Sequence, residues 1–425
     1  MLAKASRLLS HPREMKPTHS LLCAASLLFF SAPAAFSLGF RIADQDAEAT
    51  ARGNAFAATA DNPSAVYYNP AGITQLEGTR ALMGSYAISL RARVDPAAPG
   101  AASFTNTNTG LQLAPHFFVT SKPAGWPVAF GLGIYAPYGQ AVEYPDDTPF
   151  RATARLGKIV YLAVNPVIAW KICDTLSIAA GPSFNYGNAE IEQGVLAVGD
   201  TFKFHGDGIS YSFCTAVKWD PHPLLHFGIT YHSAATIDFE GHTTLNTKAF
   251  TVPTPLGPFP VPAMNRREEA SARFSIPQNI VFGVSFRPAE DWNIEFNADW
   301  TDWQRLKTVT LKQAESGDIA LPFNWQPSWF YEIGVTKKFR NGWQTSVGYM
   351  WSENSVPDAS FNPIVPDSNR HVLSAGIGQK LNQWNWNIAY QWAYAPTRTI
   401  NNGTSADGSY RVQGNAVNLT LGYDF

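Results

Sequence analysis

The feature that most constrains this chain is a regular alternation of apolar and polar side chains along many short segments. In 292–300 the even positions are apolar and the odd positions are asparagine or acidic, and 343–351, 384–394 and 417–425 follow the same period of two. On a helix these apolar positions would scatter around the axis, whereas on a strand they share one face. The pattern therefore predicts strands with one apolar face and one small or polar face.

The connections between these segments alternate between short and long. We predict fourteen segments, at 79–94, 109–122, 127–144, 154–172, 175–192, 205–220, 223–238, 273–287, 290–303, 327–339, 342–353, 370–382, 384–395 and 412–425. The long connections are 95–108, 145–153, 193–204, 239–272, 304–326, 354–369 and 396–411. Short turns on one side and long loops on the other are typical of β-barrels in the bacterial outer membrane. The predicted fold is thus an all-β, 14-stranded antiparallel transmembrane β-barrel.

Tryptophan positions give a second indication of a membrane barrel. Six lie near the short turns, namely Trp126, Trp170, Trp219, Trp292, Trp343 and Trp384. Six lie near the long loops, namely Trp300, Trp303, Trp325, Trp329, Trp351 and Trp392. Two interfacial belts explain both groups. The composition agrees, because 13% aromatic residues and a net charge of −2 argue against a disordered chain and against nucleic acid as a partner.

The N-terminal region predicts export and a plug. Basic residues precede the apolar run 21–30, and small residues follow, so we expect a signal peptide over 1–37, with cleavage after Ala34 or Ser37. Residues 38–78 are small, polar and fit no strand, and a fourteen-stranded barrel is too wide for side chains alone to fill. We therefore predict an N-terminal hatch over 38–78 inside the lumen of a barrel formed by 79–425.

Motifs across the chain match one family of outer-membrane proteins. They include Gly39-Phe40, 51–57 and 61–73 near the N-terminus, and 135–139, 300–303, 355–357 and 367–376 further on. With them the chain resembles the FadL-type (OmpP1/FadL/TodX) transporters. The resemblance implies a barrel plugged by a hatch in the bacterial outer membrane. It also implies passive uptake of long-chain fatty acids or of aromatic and aliphatic hydrocarbons, without energy coupling or cofactor.

The resemblance also implies a gate and a lateral exit through a kinked third strand. The implied residues are Phe40, Asn69, Pro70, Ala71, Pro137, Tyr138 and Gly139. Pro137 cannot donate a ladder hydrogen bond and Gly139 tolerates a bulge, which suits a kink. The element 69–71 would hold the hatch against the wall near the kink, and Phe40 would reach the interior pocket.

The sequence leaves the substrate open. Family members that carry fatty acids place basic residues at the carboxylate, whereas the matching stretches 185–190 and 319–323 hold neither lysine nor arginine. A carboxylate in a water-poor pocket needs a cation or donors, so a neutral substrate remains an alternative. The proline-rich stretch 250–264 would form an outer apolar surface. Expected partners are hydrophobic small molecules, the lipid bilayer with lipopolysaccharide, and the barrel assembly machinery.

Three other functions compete with transport. A general or structural porin would lack hydrophobic selectivity, an outer-membrane enzyme such as a lipase would need a serine–histidine pair, and an adhesin would use the loop 240–272. No nucleophile elbow, phosphate loop or metal-ligand spacing occurs, so the sequence predicts no enzyme, no catalytic residue and no metal. A disulfide between Cys173 and Cys214 is left open.

Overall fold

The computed structural model of the chain describes residues 39–195, 197–254 and 257–425, so the predicted signal peptide lies outside the described residues. Fourteen antiparallel strands form a closed barrel in this part of the chain, which confirms the predicted fold. The strands are β1 (Gly78–Pro96), β2 (Gln112–Lys122), β3 (Val128–Glu143), β4 (Leu156–Cys173), β5 (Leu176–Gly194), β6 (Thr201–His222), β7 (Leu225–His232, continued by Ala235–Thr247), β8 (Met264–Ile276, continued by Asn279–Phe286), β9 (Trp292–Thr301), β10 (Ser328–Lys338), β11 (Trp343–Ser352), β12 (Arg370–Leu381), β13 (Trp384–Tyr394) and β14 (Gly408–Asp424).

The barrel closes between its first and last strands. β14 pairs antiparallel with β1 along their whole shared length, from Arg80 opposite Asp424 to Pro96 opposite Gly408. The backbone N–H of Phe425 donates to the carbonyl of Thr79 at 2.9 Å and extends this pairing to the C-terminus. Closure matters because an open strand edge in hydrocarbon would leave backbone groups without hydrogen bonds.

The two faces of the wall differ as the alternation predicts. On β9, Phe296 is 45% exposed on the outer surface, whereas Glu295 is fully buried inside. On β6, Ile209 and Tyr211 are exposed and Ser210 between them is buried. The apolar outer face suits hydrocarbon, and the polar inner face meets the hatch.

Short helices of the hatch fill the lumen. The helices are α1 (Ala47–Ala51) and α2 (Ala65–Tyr68), followed by a 3-10 helix at Pro70–Gln75. The side chain of Asn69 accepts from the N–H of Ala71 at 3.1 Å, and Pro70 takes the first helical position, so 69–71 forms a capped helix start. No helix among the described residues has the length and apolar composition needed to cross a membrane.

The outer loops are shorter than predicted. β6 begins at Thr201, β7 runs on to Thr247 and β8 begins at Met264, so much of the predicted loop 239–272 is strand. In the register, His205 of β6 lies opposite His242 of β7. Outward positions here are polar rather than apolar, so the apolar alternation that revealed the other strands ends while the hydrogen-bonded ladder continues. Further short strands cross the loops at Phe104–Thr105, Phe250–Thr254, Gly257–Val261, Thr308–Gln313, Ile319–Pro322 and Arg398–Ile400, with 3-10 turns at Trp303–Arg305 and Asp358–Ser360.

The predicted interface positions of two tryptophans need correction, and the question of the disulfide can be answered. Trp303 and Trp325 do not join an outer belt, because both are buried inside the barrel. The 3-10 turn that follows β9 directs Trp303 inward, where its ring meets Phe40. The disulfide left open by the sequence is absent: Cys173 is free and exposed, and Cys214 is free and buried.

Candidate functional site

The first described residues of the hatch form backbone hydrogen bonds with β3. The N–H of Ile42 donates to the carbonyl of Pro137 at 2.8 Å, and the N–H of Gly139 donates to the carbonyl of Phe40 at 2.8 Å. Arg41 lies opposite Tyr138 in the resulting antiparallel bridge. We call residues 39–43 the hatch strip. The strip therefore binds the segment of β3 that was predicted to kink.

β3 leaves the barrel wall at this segment. Its pairing with β2 ends where Ile134 lies opposite Phe117, and its register with β4 shifts by one residue between Tyr135 and Tyr138. Residues 135–142 are all buried, which a strand with one face on lipid would not be. Pro137 lacks an N–H and cannot continue a ladder on that edge. The wall between β2 and β3 consequently has no ladder above Phe117.

The loop between β1 and β2 covers the top of the displaced segment. The side-chain amide of Asn108 donates to the carbonyl of Ala141 at 2.9 Å, and the N–H of Thr107 donates to the carbonyl of Glu143 at 2.7 Å. These contacts hold the upper part of β3 inside the barrel. The displaced side of the gap between β2 and β3 is therefore held in place by hydrogen bonds from the loop between β1 and β2.

An apolar cavity, called here the upper cavity, lies on the outer side of the hatch strip. It has about 860 Å³ of empty space, counting its open mouth. Its apolar lining includes Phe40, Ile159, Phe202, Phe204, Phe239, Phe274, Leu311, Ile319, Phe323 and Ile364. Among the described lining residues Lys158 is the one lysine, and arginine is absent. Size and lining suit an apolar small molecule.

Phe40 forms the floor of the upper cavity. Its ring contacts those of Trp303 at 4.8 Å, Trp325 at 5.8 Å and Tyr138 at 5.8 Å between centroids. Gly39 has a φ of +62°, and a Cβ there would stand 2.6 Å from Trp325. Only glycine fits such a backbone against these rings. This packing explains why glycine precedes phenylalanine in the motif.

A second cavity, called here the lower cavity, lies on the periplasmic side of Phe40. It has about 460 Å³ of empty space, counting its mouth, and its lining combines polar side chains with a larger share of apolar surface. The lining includes Arg41, Tyr67, Tyr135, Tyr138, Tyr161, Asn165, Ser183, Asn185, Ser212, His232 and Asn279. The rings of Tyr138 and Tyr161 meet at 5.5 Å and help to separate the two cavities.

Buried acidic residues of β9 anchor the hatch. Arg41 forms an ion pair with Asp299 at 2.7 Å and donates to the hydroxyl of Thr301 at 3.0 Å. Glu295 accepts from the N–H groups of Ala58 at 2.7 Å and Thr59 at 3.1 Å. Sequence reasoning did not assign these roles, although the alternation already placed both acidic residues on the inner face.

The element 69–71 lies at a different part of the wall from the kink. The side-chain amide of Asn69 donates to the carbonyls of Ala57 at 2.7 Å and Val217, on β6, at 3.1 Å. Gly228 on β7 makes room, since a Cβ there would stand 2.0 Å from the carbonyl oxygen of Ala57. The structure therefore brings Phe40 together with Pro137, Tyr138 and Gly139, and places the Asn69 element against β6 and β7. The described residues contain no group of three or more ligands suited to a metal ion.

Residues 28–425 match the family model described as outer membrane protein transport protein (OMPP1/FadL/TodX). A putative outer membrane protein of Neisseria meningitidis serogroup B is 23% identical over 411 residues, covering 86% of this chain and 87% of that protein. The long-chain fatty acid transport protein of Escherichia coli O6:H1 is 22% identical over 388 residues, covering 82% of this chain and 85% of that protein.

Solved structures show the same fold. A Pseudomonas aeruginosa FadL homologue superposes with a TM-score of 0.78 at 18% identity, covering 91% of this chain and 100% of that one. The Pseudomonas putida toluene transporter TodX superposes with a TM-score of 0.69 at 13% identity, covering 93% and 98%.

Proposed function

Because this chain belongs to the OMPP1/FadL/TodX family of outer-membrane transport proteins, we propose that it takes up hydrophobic compounds passively and releases them sideways into the bilayer. The family consists of transport channels, and the protein is a β-barrel of the bacterial outer membrane.

One observation supports this route above the others. The floor of the apolar cavity, Phe40, belongs to the same hatch strip that hydrogen-bonds the displaced segment of β3. A ligand that moves Phe40 therefore disturbs the contacts of Ile42 and Gly139 at the wall gap. Binding and opening are in this way coupled through one short strip.

Passive lateral release is chemically reasonable for an apolar solute. Transfer from the cavity into the adjacent bilayer keeps apolar surface away from water, whereas a path into the periplasm would expose it. The solute moves down its own gradient, so no energy source is required.

The lining favours hydrocarbons and acyl chains over sugars or ions. Two relatives are named for long-chain fatty acids and for toluene, and both kinds of compound would find apolar contacts in the upper cavity. Lys158 is one cation among the lining residues, and the stretches 185–190 and 319–323 contribute Ala189, Ile319, Leu321 and Phe323 there. We propose that uncharged compounds enter at least as readily as carboxylates.

The proposed macromolecular and lipid partners follow from the outer-membrane location of the barrel. We propose that the polar outward positions of β6 to β8, beyond Ile209, meet the headgroups of lipopolysaccharide. We further propose that the barrel assembly machinery inserts the chain, because it is a β-barrel of the bacterial outer membrane.

The test is uptake of radiolabelled oleate, toluene and dodecane by cells with and without the gene. A second strain carries the chain without residues 39–43, with folding checked by the heat-dependent mobility of the barrel in a gel. We expect uptake to require the gene, and we expect the uptake rate of the chain without the strip to differ from that of the intact chain. Liposome swelling in sugars separates the porin alternative: rapid sugar entry with no hydrophobe uptake would refute the proposal.

A further inference from the structure

We propose that three arginines at the outer end of the seam between β1 and β14 bind a phosphate of lipid A, the membrane anchor of lipopolysaccharide. The arginines are Arg91 and Arg93 on β1 and Arg411 on β14. We call them the seam arginines. The inference adds a defined site to the broader lipid contacts of β6 to β8, and it does not depend on which compound the channel transports.

The seam arginines form one patch on the outer face of the barrel. Arg93 lies directly opposite Arg411 in the pairing of β1 with β14, and Arg91 follows on the same face of β1, two positions nearer to the membrane. Their strand neighbours Ala92 and Val412 are buried, whereas the side chains of Arg93 and Arg411 are 53% and 55% exposed. Opposite residues on paired strands have Cβ atoms about 4.5–5.5 Å apart, so these guanidinium groups can reach one phosphate.

Positive charge exceeds negative charge in this patch. Asp95 pairs with Arg93 at 3.3 Å and with Arg411 at 3.3 Å. Arg91 is exposed and pairs with no carboxylate among the residues that the structure describes. Three guanidinium groups against one carboxylate leave a net charge of +2. Like charges directly opposite each other destabilise paired strands, so a further anion would stabilise this arrangement.

Phosphate is the anion that suits this arrangement. The planar guanidinium group donates two parallel hydrogen bonds to a phosphate, and such charge-assisted bonds are stronger than neutral ones. A phosphate can accept from several arginines at once, because it offers more acceptor oxygens than a carboxylate does. The shared face of the seam arginines therefore favours a phosphate over a single carboxylate.

The patch lies where the headgroups of the outer leaflet are expected. Outward side chains of β14 are apolar at Leu419 and Val417 and become polar at Asn415. Tyr394 of β13 is 41% exposed, and it lies opposite the same residue of β14 as Arg91 does. Tyrosine rings mark the interface between hydrocarbon and headgroups. A phosphate anchored by acyl chains is held at this level, whereas a free phosphate is not.

A shallow groove below the seam arginines suits an acyl chain. The outward side chains of β1 are small at Ser89, Ala87 and Ser85. Larger exposed side chains stand on both sides, because Leu113 of β2 lies opposite Ala87 and Leu419 of β14 lies opposite Ser85. The groove leads from the hydrocarbon region up to the arginines. A lipid in it would bury apolar surface while its phosphate meets the positive charge.

The experiment measures binding of lipid A to the purified full chain by native mass spectrometry, with lipid A stripped of its phosphates as the second ligand. We expect lipid A to bind more tightly. Arg91→Gln combined with Arg411→Gln lowers the net charge of the patch to zero and should weaken lipid A about 25-fold, at about fivefold for each arginine. Asp95→Asn removes the carboxylate that competes with the phosphate, so it should tighten lipid A. Folding of each variant is checked by heat-dependent mobility.

Two further variants separate the contributions of charge and groove. Arg273→Gln is the matched control, because Arg273 is an outward arginine that is 76% exposed and already paired with Asp238 at 2.7 Å. It should change the affinity for lipid A by less than about twofold. Ala87→Trp fills the groove and should weaken lipid A without changing the charge of the patch.

Four results would overturn the site. Equal affinity for the two forms of lipid A, or an unchanged affinity in the double arginine variant, would show that no phosphate is recognised. Displacement of lipid A by millimolar inorganic phosphate, with Ala87→Trp having no effect, would replace the lipid by a free anion. Equal binding of phosphatidylglycerol would replace lipid A by a general anionic lipid. Each of these results leaves the uptake of hydrophobic compounds untouched, so the site can fail while the proposed function stands.

Discussion

Replacing Asp299 by asparagine should release the hatch strip from the wall. Asp299 neutralises Arg41, and both side chains are 3% exposed. Removing one partner of a buried ion pair costs about 3–5 kcal/mol. Here the amide oxygen of asparagine and the hydroxyl of Thr301 still accept from Arg41, so we expect about 2–3 kcal/mol.

This loss should appear as more frequent opening of the strip. At about 1.4 kcal/mol per factor of ten, the open population rises about 30- to 150-fold. Ile42 is 2% exposed, so a cysteine placed there reacts with a maleimide only when the strip opens. The reporter protein carries Ile42→Cys and Cys173→Ser, since Cys173 is the exposed native thiol and Cys214 is buried. The labelling rate is compared with and without Asp299→Asn.

An exposed ion pair supplies the matched control. Asp238 pairs with Arg273 at 2.7 Å, but the two side chains are 56% and 76% exposed. Exposed pairs contribute little, so Asp238→Asn should change the labelling rate by less than about twofold. A labelling rate in Asp299→Asn equal to that of the parent, in a barrel of normal heat-dependent mobility, would refute the anchoring role of this pair.

Three further outcomes follow from the hatch. Gly39→Ala should loosen the strip and raise the same labelling rate, because its Cβ would stand 2.6 Å from Trp325 at a φ of +62°; an unchanged rate would contradict this packing. Glu295→Gln should increase hydrogen exchange at the N–H groups of 58–59 more than tenfold, as loss of a charged acceptor for two buried donors implies. Burial raises the pKa of Asp44 from 3.8 to about 6, so this carboxyl alone should make the hatch about 3 kcal/mol more stable below pH 4 than above pH 6; Asp44→Asn should remove that contribution in urea titrations followed by exchange of hatch amides.

The barrel could be predicted from the sequence because the membrane requires an apolar outer face on every strand. Phe296 and its neighbours must be apolar on the lipid side, and the pattern of β9 shows this directly. This requirement does not apply to the parts of the strands that extend beyond the lipid. His205 and His242 lie on paired strands, yet no apolar alternation marks them, so the sequence placed part of this region in loops.

The interior of the site was less accessible, because its partners are distant in sequence. Gly39-Phe40 and Pro137 could be singled out as motifs, but their contact depends on a bend that brings residue 139 to residue 40. Trp303 shows the same limit: its position near a loop suggested an interface, whereas one 3-10 turn directs it inward. The pairing of Arg41 with Asp299 spans 258 positions and leaves no local signal.

The pairing of β14 with β1 has a consequence for the order of assembly. The hatch precedes β1 in the chain, and it contacts strands as distant as β12 and β13. Once the last strand is joined to the first, a folded segment can no longer enter from the side. Enclosing the hatch while the sheet is still open avoids this restriction, so we expect the hatch to be in place before β14 joins β1.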